Sequence, residues 1–152
     1  MYGYREDQYF MKLALKEAER AFMKGDVPVG AVLVKDNHVI ARKCNARESS
    51  NDPTGHAEIL VLRSGARKSG QWRLTDATLY VTKEPCVMCA GAMLNARIGR
   101  LVYGCRDEKG GAVDSLYQIL SDRRLNHRVE VVSGVLEDDG AEILKRFFLA
   151  KR

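Results

Sequence analysis

The stretch Pro85-Cys86-Val87-Met88-Cys89 places two cysteines, with two residues between them, directly after a proline. Zinc prefers about four ligands in a tetrahedral array, and two thiolates at this spacing can supply one edge of it. The other half of such a site must come from elsewhere in the chain. The strongest upstream candidate is His56-Ala57-Glu58. Any fold of this chain that uses both motifs must bring residues 56–58 and 85–89 together.

Each motif has ordinary explanations when it is considered alone. A single His-x-Glu occurs often by chance, and a lone histidine near a helix start is more often a cap or a core residue than a ligand. Cys-x-x-Cys also occurs as a redox pair or as two buried cysteines in a helix. The combination favours a metal site, because both motifs open a helix and the 27 residues 59–85 leave room for a helix and a return strand. We therefore predict a three-ligand zinc site of His56, Cys86 and Cys89.

Three protein ligands leave a fourth position for water, which is typical of a catalytic zinc site. Two thiolates cancel the charge of the dication, so this zinc should activate water weakly and should need a neighbouring base. Glu58 is the obvious one. In mid-helix, residues two apart point roughly 200° away from each other. His56 and Glu58 converge only if the metal lies beyond the helix N-terminus, so we expect His56 in the first turn, and Cys86 and Cys89 in a similar position.

Hydrophobic periodicity divides the chain into alternating helices and strands. It predicts helices over 6–24, 56–68, 86–95, 115–120 and 137–151, and strands over 27–34, 39–44, 78–82, 99–104 and 129–135. We place Pro85 at the first turn of its helix, where its missing N–H is harmless. Residues 45–55 and 106–114 are polar or glycine-rich and are predicted loops. The alternation predicts a three-layer α/β fold with a partly parallel sheet.

The bulk composition fits a soluble globular protein of 152 residues with 45% apolar and 30% charged residues, and we expect residues 1–152 to form a single domain. We find neither a membrane-spanning run nor a signal peptide, so we expect a cytoplasmic location. Cys44 and Cys105 each end a strand, and we interpret them as small buried apolar residues. The net charge of +5 is a moderate bias towards anionic partners such as nucleic acid.

Five segments together resemble the bacterial tRNA-specific adenosine deaminases of the TadA type, within the cytidine/deoxycytidylate deaminase superfamily. They are Asp52 to Glu58, Glu84 to Ala92, Tyr103 to Asp107, Asn126-His127-Arg128 and Phe147-Phe148. The resemblance implies a cytidine-deaminase-like domain, in which a mixed five-stranded sheet is flanked by helices. It also implies a homodimer with one zinc per subunit that converts the wobble adenosine of an arginine tRNA anticodon to inosine.

The resemblance also implies roles for individual residues. His56, Cys86 and Cys89 would hold the zinc, and Glu58 would carry protons to N1 of adenine and to the departing amine. The substrate would be contacted by the Asn45 side chain at the base, the Ala57 N–H at the base edge, Asp107 at the ribose of the preceding nucleotide and Phe148 near the flanking base.

Other interpretations of the same residues are open. Asn45 could simply end a hairpin, Asp107 could be an ordinary loop carboxylate, and Phe148 could be a core contact. A free-base or nucleoside deaminase, for guanine or cytosine, shares the two motifs with a tRNA deaminase. A zinc module that uses the metal only for folding is a third hypothesis, and it gives Glu58 no role.

Overall fold

The computed structural model describes residues 3–151, and its elements follow the predicted alternation of helices and strands. Met1, Tyr2 and Arg152, which the predicted domain of residues 1–152 includes, lie outside the described residues. The elements in chain order are α1 (Tyr4–Met23), β1 (Gly30–Lys35), β2 (His38–Cys44), α2 (Ala57–Ser69), β3 (Ala77–Lys83), α3 (Val87–Ala96), β4 (Arg100–Cys105), a short 3₁₀ turn (Ile119–Ser121), β5 (Glu130–Val132) and α4 (Glu137–Ala150).

The five strands form one mixed sheet in the order β2-β1-β3-β4-β5. Strand β1 is antiparallel to both β2 and β3, whereas β3, β4 and β5 are mutually parallel. The β1–β2 hairpin turns through Asp36 and Asn37, whose φ angles of 52° and 61° are those of a tight type I′ turn. The predicted cytidine-deaminase-like sheet, five-stranded and mixed, is confirmed.

Both faces of the sheet are covered, as alternate residues of β1 illustrate. Ala31 and Leu33 pack in the larger core beneath α2 and α3, whereas Val32 and Val34 face the smaller core beneath α1. Helix α4 lies on the same side as α1 and contacts β4. The predicted three-layer arrangement is therefore confirmed, and the larger core supports the two helices that carry the metal-binding motifs.

Two predicted elements differ from the structure. The prediction of a helix over 115–120 is wrong. The N–H groups of Val113, Asp114 and Ser115 all donate to the Glu84 carboxylate, and these bonds hold the chain in a loop. Only the 3₁₀ turn at Ile119–Ser121 is helical there. The strand over 129–135 is shorter than predicted, since Gly134 has a φ of 78° and turns the chain towards α4.

Two expectations about burial and membrane association can be compared with the structure. Cys44 and Cys105 are buried, as predicted. Within residues 3–151, no helix combines the length and apolar character that crossing a membrane requires.

Candidate active site

The two motifs meet where α2 and α3 begin. His56 is the N-cap of α2 and Cys86 is the N-cap of α3, both with extended backbone. Neither side chain caps its own helix, so both are available to another partner. His56 and Cys86 therefore lie one residue before the first turn in which we expected them. Pro85 precedes the N-cap, and its predicted place inside the first turn is wrong.

The three predicted ligands converge on one point. The Nδ1 atom of His56 lies 3.6 Å from the Cys86 sulfur and 3.5 Å from the Cys89 sulfur. All three donor atoms lie within 4.8 Å of one another. Zinc bonds of about 2.0 Å to nitrogen and about 2.3 Å to sulfur, at tetrahedral angles, give an N–S edge of about 3.5 Å. The donor set therefore fits a zinc ion in both its chemistry and its spacing, with Nδ1 as the histidine ligand atom.

The Cys86 and Cys89 thiols differ in how readily they ionise. The hydrogen bond from Cys89 lowers the pKa of Cys86 to about 4, and the same interaction, with burial, raises the pKa of Cys89. The hydrogen bond to Cys86 also raises the pKa of His56. A metal cation held by all three residues would displace the Cys89 proton, because a cysteine binds metal as the thiolate and a histidine as the neutral ring.

Glu58 is the second residue of α2 and only 4% of it is exposed. Burial raises the pKa of its carboxyl group, because the low-dielectric surroundings penalise the charged form. A raised pKa suits a group that must both accept and release a proton. His56 and Glu58 line the same cavity, as expected for residues two apart that converge beyond a helix end.

A cavity of about 310 Å³ opens beside the three ligands and is lined by all four predicted substrate-binding residues, Asn45, Ala57, Asp107 and Phe148. They come from four separate segments: the end of the β1–β2 hairpin, the start of α2, the loop after β4, and α4. Ala57 is the first residue of α2, and the helix itself leaves the N–H of such a residue unpaired. The fold thus brings these residues together, while their individual roles stay predictions.

The Asn45 side chain is held in one orientation. Its Nδ2 donates to the Val27 carbonyl at 3.1 Å, and its Oδ1 accepts the Arg47 N–H at 3.2 Å. An amide group has two donor hydrogens and two acceptor lone pairs, so each end can still serve a ligand. Both the turn role that we considered and a base-contacting role are compatible with this arrangement.

Phe148 reaches the cavity from the last helix and is 51% exposed. Its ring packs edge-on against Phe147, with centroids 5.4 Å apart. Phe147 is buried and packs on Phe22 of α1. The core contact that we considered for Phe148 thus belongs to its neighbour, and the exposed ring of Phe148 faces the cavity.

Sequence reasoning missed Glu84 as a residue of this site. It is 3% exposed, and its carboxylate accepts the Asp107, Asp114 and Ser115 N–H groups at 3.0, 2.8 and 2.9 Å. Hydrogen bonds led by the Ser115 hydroxyl outweigh the opposing effect of burial and lower the pKa of Glu84 to about 2. In the sequence, Glu84 is marked only by its position directly after β3, at the start of the segment Glu84 to Ala92 that carries the family resemblance.

Two cations on the cavity wall were also missed. Arg47 follows Asn45 in the loop before α2, and Lys83 is the last residue of β3. Lys83 pairs with Asp107 at 3.2 Å, so one of the two cations contacts a predicted substrate-binding residue.

Known proteins share this architecture. A family model described as MafB19-like deaminase matches residues 5–152. A tRNA-specific adenosine deaminase of Streptococcus pyogenes serotype M1 is 52% identical over 147 residues, covering 97% of this chain and 86% of that protein. The enzyme of the same name from Bacillus subtilis (strain 168) is 48% identical over 143 residues, covering 94% and 89%.

A solved structure from a study of A-to-I editing by tRNA:A34 deaminases at the wobble position of transfer RNA is also similar to this chain. It has a TM-score of 0.86 and 51% identity, and the match covers 89% of this chain and 98% of the other.

A mixed sheet whose His-x-Glu and Pro-Cys-x-x-Cys motifs meet at two helix N-termini defines a deaminase of the cytidine-deaminase-like class. The structural match to a tRNA:A34 deaminase confirms that class. The chain belongs to the family of tRNA-specific adenosine deaminases, as its identity to curated members over nearly its whole length shows.

Proposed function

We propose that this chain is a zinc-dependent hydrolase that deaminates adenosine to inosine at the wobble position of an arginine tRNA anticodon. The observation that carries the proposal is the buried Glu58 carboxyl group, which lines the same cavity as the metal-ligand donor His56. Membership of the tRNA-specific adenosine deaminase family supports adenosine in tRNA as the substrate.

The residues of the cavity have separate roles in the proposed reaction, namely metal binding and proton transfer. When held by His56, Cys86 and Cys89, zinc supplies Lewis-acid activation of water. Glu58 takes a proton from the attacking water and delivers it to N1 of adenine, which makes C6 electrophilic. The water oxygen bonds to C6 as the first proton reaches N1. Glu58 then takes the remaining hydroxyl proton and gives it to the amine; the C6–N bond breaks, ammonia leaves and the C6 carbonyl of inosine forms.

The base must be held while these protons move. The Ala57 N–H and the Asn45 amide are the groups proposed to hold it, since both line the cavity. A base in an anticodon loop can be turned out of its stack and recognised by its edges, by stacking and by contacts to the flanking backbone. Phe148 offers an aromatic face, Asp107 an acceptor for a ribose hydroxyl, and Arg47 a cation for a phosphate.

Three broader proposals accompany the activity. We propose that residues 1–152 act as one deaminase domain, that the protein works in the cytoplasm where tRNA is found, and that it forms the homodimer that the family resemblance implies.

The test of the activity is sequencing of tRNA after incubation with the purified, zinc-loaded protein, because inosine is read as guanosine. We expect an A-to-G change at the wobble position and no turnover of free adenosine, guanine or cytidine. Turnover of guanine alone would contradict the proposal and identify a free-base deaminase.

A matched pair of variants tests the role of Glu58. We expect Glu58→Gln to keep its zinc, measured by metal analysis, and to lose turnover by a factor of about 10² or more, the usual contribution of a positioned proton carrier. Glu142→Gln makes the same change on the exposed side of α4 and should leave activity unchanged. Full turnover in Glu58→Gln would contradict the role of Glu58 as the proton carrier.

A further inference from the structure

An ion pair lies in the wall of the cavity. The Lys83 ammonium is 3.2 Å from Oδ2 of Asp107, and the two side chains are only 28% and 20% exposed. The topology explains why they meet: Lys83 is in register with Cys105 across the parallel strands β3 and β4, and Asp107 follows two residues later. A cation at the end of one strand thus faces a carboxylate just beyond the end of its neighbour.

The other atoms of Asp107 are held from the opposite side. Its Oδ1 accepts the N–H groups of Lys109 and Gly110, each at 3.1 Å. Its own N–H donates to Glu84 at 3.0 Å. Because a carboxylate oxygen has two lone pairs, Oδ1 is fully used, whereas Oδ2 can accept one more hydrogen bond beside Lys83. That remaining site is the one a hydroxyl of the substrate could take.

We propose that Lys83 is a positioning residue for Asp107: it fixes Oδ2 at the cavity wall and offsets the repulsion between this carboxylate and the phosphates of the substrate. Without a nearby cation, an anionic group in the binding cavity would disfavour a polyanionic substrate. With Lys83 paired to it, Asp107 can offer an acceptor to a ribose hydroxyl at little electrostatic cost. The inference rests on the proposed RNA substrate.

The kinetic test compares Lys83→Met with Lys83→Arg on an anticodon stem-loop RNA. We expect Lys83→Met to raise KM about fivefold, the effect of losing one partly exposed ion pair, and to change kcat little because the group does not touch the reacting atoms. Lys83→Arg keeps a cation and should restore most of the affinity. Lys68→Met removes the same charge from the last turn of α2 and should behave as the wild type.

A double-mutant cycle distinguishes positioning from direct phosphate binding. If Lys83 acts through Asp107, Lys83→Met should add nothing further in an Asp107→Asn background. An equal rise in KM in both backgrounds would overturn the proposal and indicate that the ammonium binds the substrate itself. A Lys83→Met enzyme with unchanged KM would overturn it as well.

Hydrogen exchange gives an answer that does not depend on turnover. Loss of the ion pair frees Oδ2, so the Lys109 and Gly110 amides that bind Oδ1 should exchange faster in Lys83→Met than in wild type or Lys68→Met. Unchanged exchange would refute the positioning role. If the wild-type protein does not convert the stem-loop, the proposed function fails, while the exchange data still decide the role of Lys83.

Discussion

A buried ion pair between α1 and the sheet provides the sharpest test of how this fold is stabilised. Asp7 is 3% exposed, and its two oxygens accept hydrogen bonds from the Arg100 guanidinium at 2.8 and 2.7 Å. The Tyr80 hydroxyl donates to the same carboxylate at 2.7 Å. One side chain of α1 thus connects that helix to the neighbouring strands β3 and β4.

Asp7→Asn keeps the shape of the side chain and removes its charge. Removing one partner of a buried ion pair costs about 3–5 kcal/mol, because the remaining charge loses its compensation. The asparagine oxygen still accepts a hydrogen bond and Arg100 keeps Glu130 at 3.5 Å, so we expect the lower end of that range. For a chain of this size, about 3 kcal/mol corresponds to a fall in Tm of about 6–12 °C.

The assay is urea unfolding of the zinc-saturated protein, and the matched control is Glu19→Gln. Glu19 also pairs with an arginine, Arg146 at 3.1 Å, but both side chains are more than half exposed. Such a pair contributes about 0–1 kcal/mol. We expect Asp7→Asn to lower the midpoint far more than the control does, with the same slope m. Equal losses in the two variants would refute the reasoning.

The same pair predicts how stability changes with pH. Burial opposes ionisation of Asp7, but its bonds to Arg100 and Tyr80 outweigh that effect and lower the pKa of the carboxyl group. A lowered pKa in the folded protein stabilises it at pH values above the unfolded pKa of about 3.9. That contribution is lost as the pH falls through the folded pKa. The acid-induced loss of stability should therefore be smaller in Asp7→Asn than in wild type.

Two further predictions concern packing and substrate binding. An added Cβ at Gly30 would lie 2.0 Å from the Ala14 carbonyl oxygen, whereas one at Gly91 would meet nothing within 4 Å. In urea unfolding, Gly30→Ala should therefore lose at least about 1–3 kcal/mol, and Gly91→Ala should lose nothing. Arg47→Gln should keep its zinc and reduce the slope of log K against log salt for RNA binding by about 0.7, and an unchanged slope would contradict a phosphate contact.

The convergence of His56, Cys86 and Cys89 could be predicted from the sequence because each half of this candidate metal site is local. His56 precedes Glu58 by two residues, and Cys86 precedes Cys89 by three, so the helix that begins at each motif fixes the relative positions within it. The alternation of helices and strands predicted a partly parallel sheet but not the order of its strands. Both the spacing within each motif and the alternation of elements are short-range patterns, which can be read from a single sequence.

The shape and the full extent of the loop after β4 could not be predicted, for the opposite reason. Its shape depends on Glu84, which accepts the Ser115 N–H from 31 positions further along the chain. The Asp7–Arg100 pair spans 93 positions. In neither contact does the local sequence around one residue indicate which distant residue it will bind. The 115–120 segment has enough apolar residues for a helix, but its start is fixed by a distant carboxylate.

On both sides of the cavity, a buried carboxylate holds a loop of the wall by accepting hydrogen bonds from backbone N–H groups. Asp26 is fully buried and accepts the Glu48 N–H at 2.6 Å, which fixes the loop that carries Arg47. Glu84 does the same for the loop that carries Asp107. A buried carboxylate that binds successive backbone N–H groups can order a loop that has no strand or helix of its own. The predicted metal ligands lie at helix ends, whereas Arg47 and Asp107 of the cavity wall lie in these two loops. The two loops can therefore change in sequence and shape without moving the helix ends that carry His56, Cys86 and Cys89.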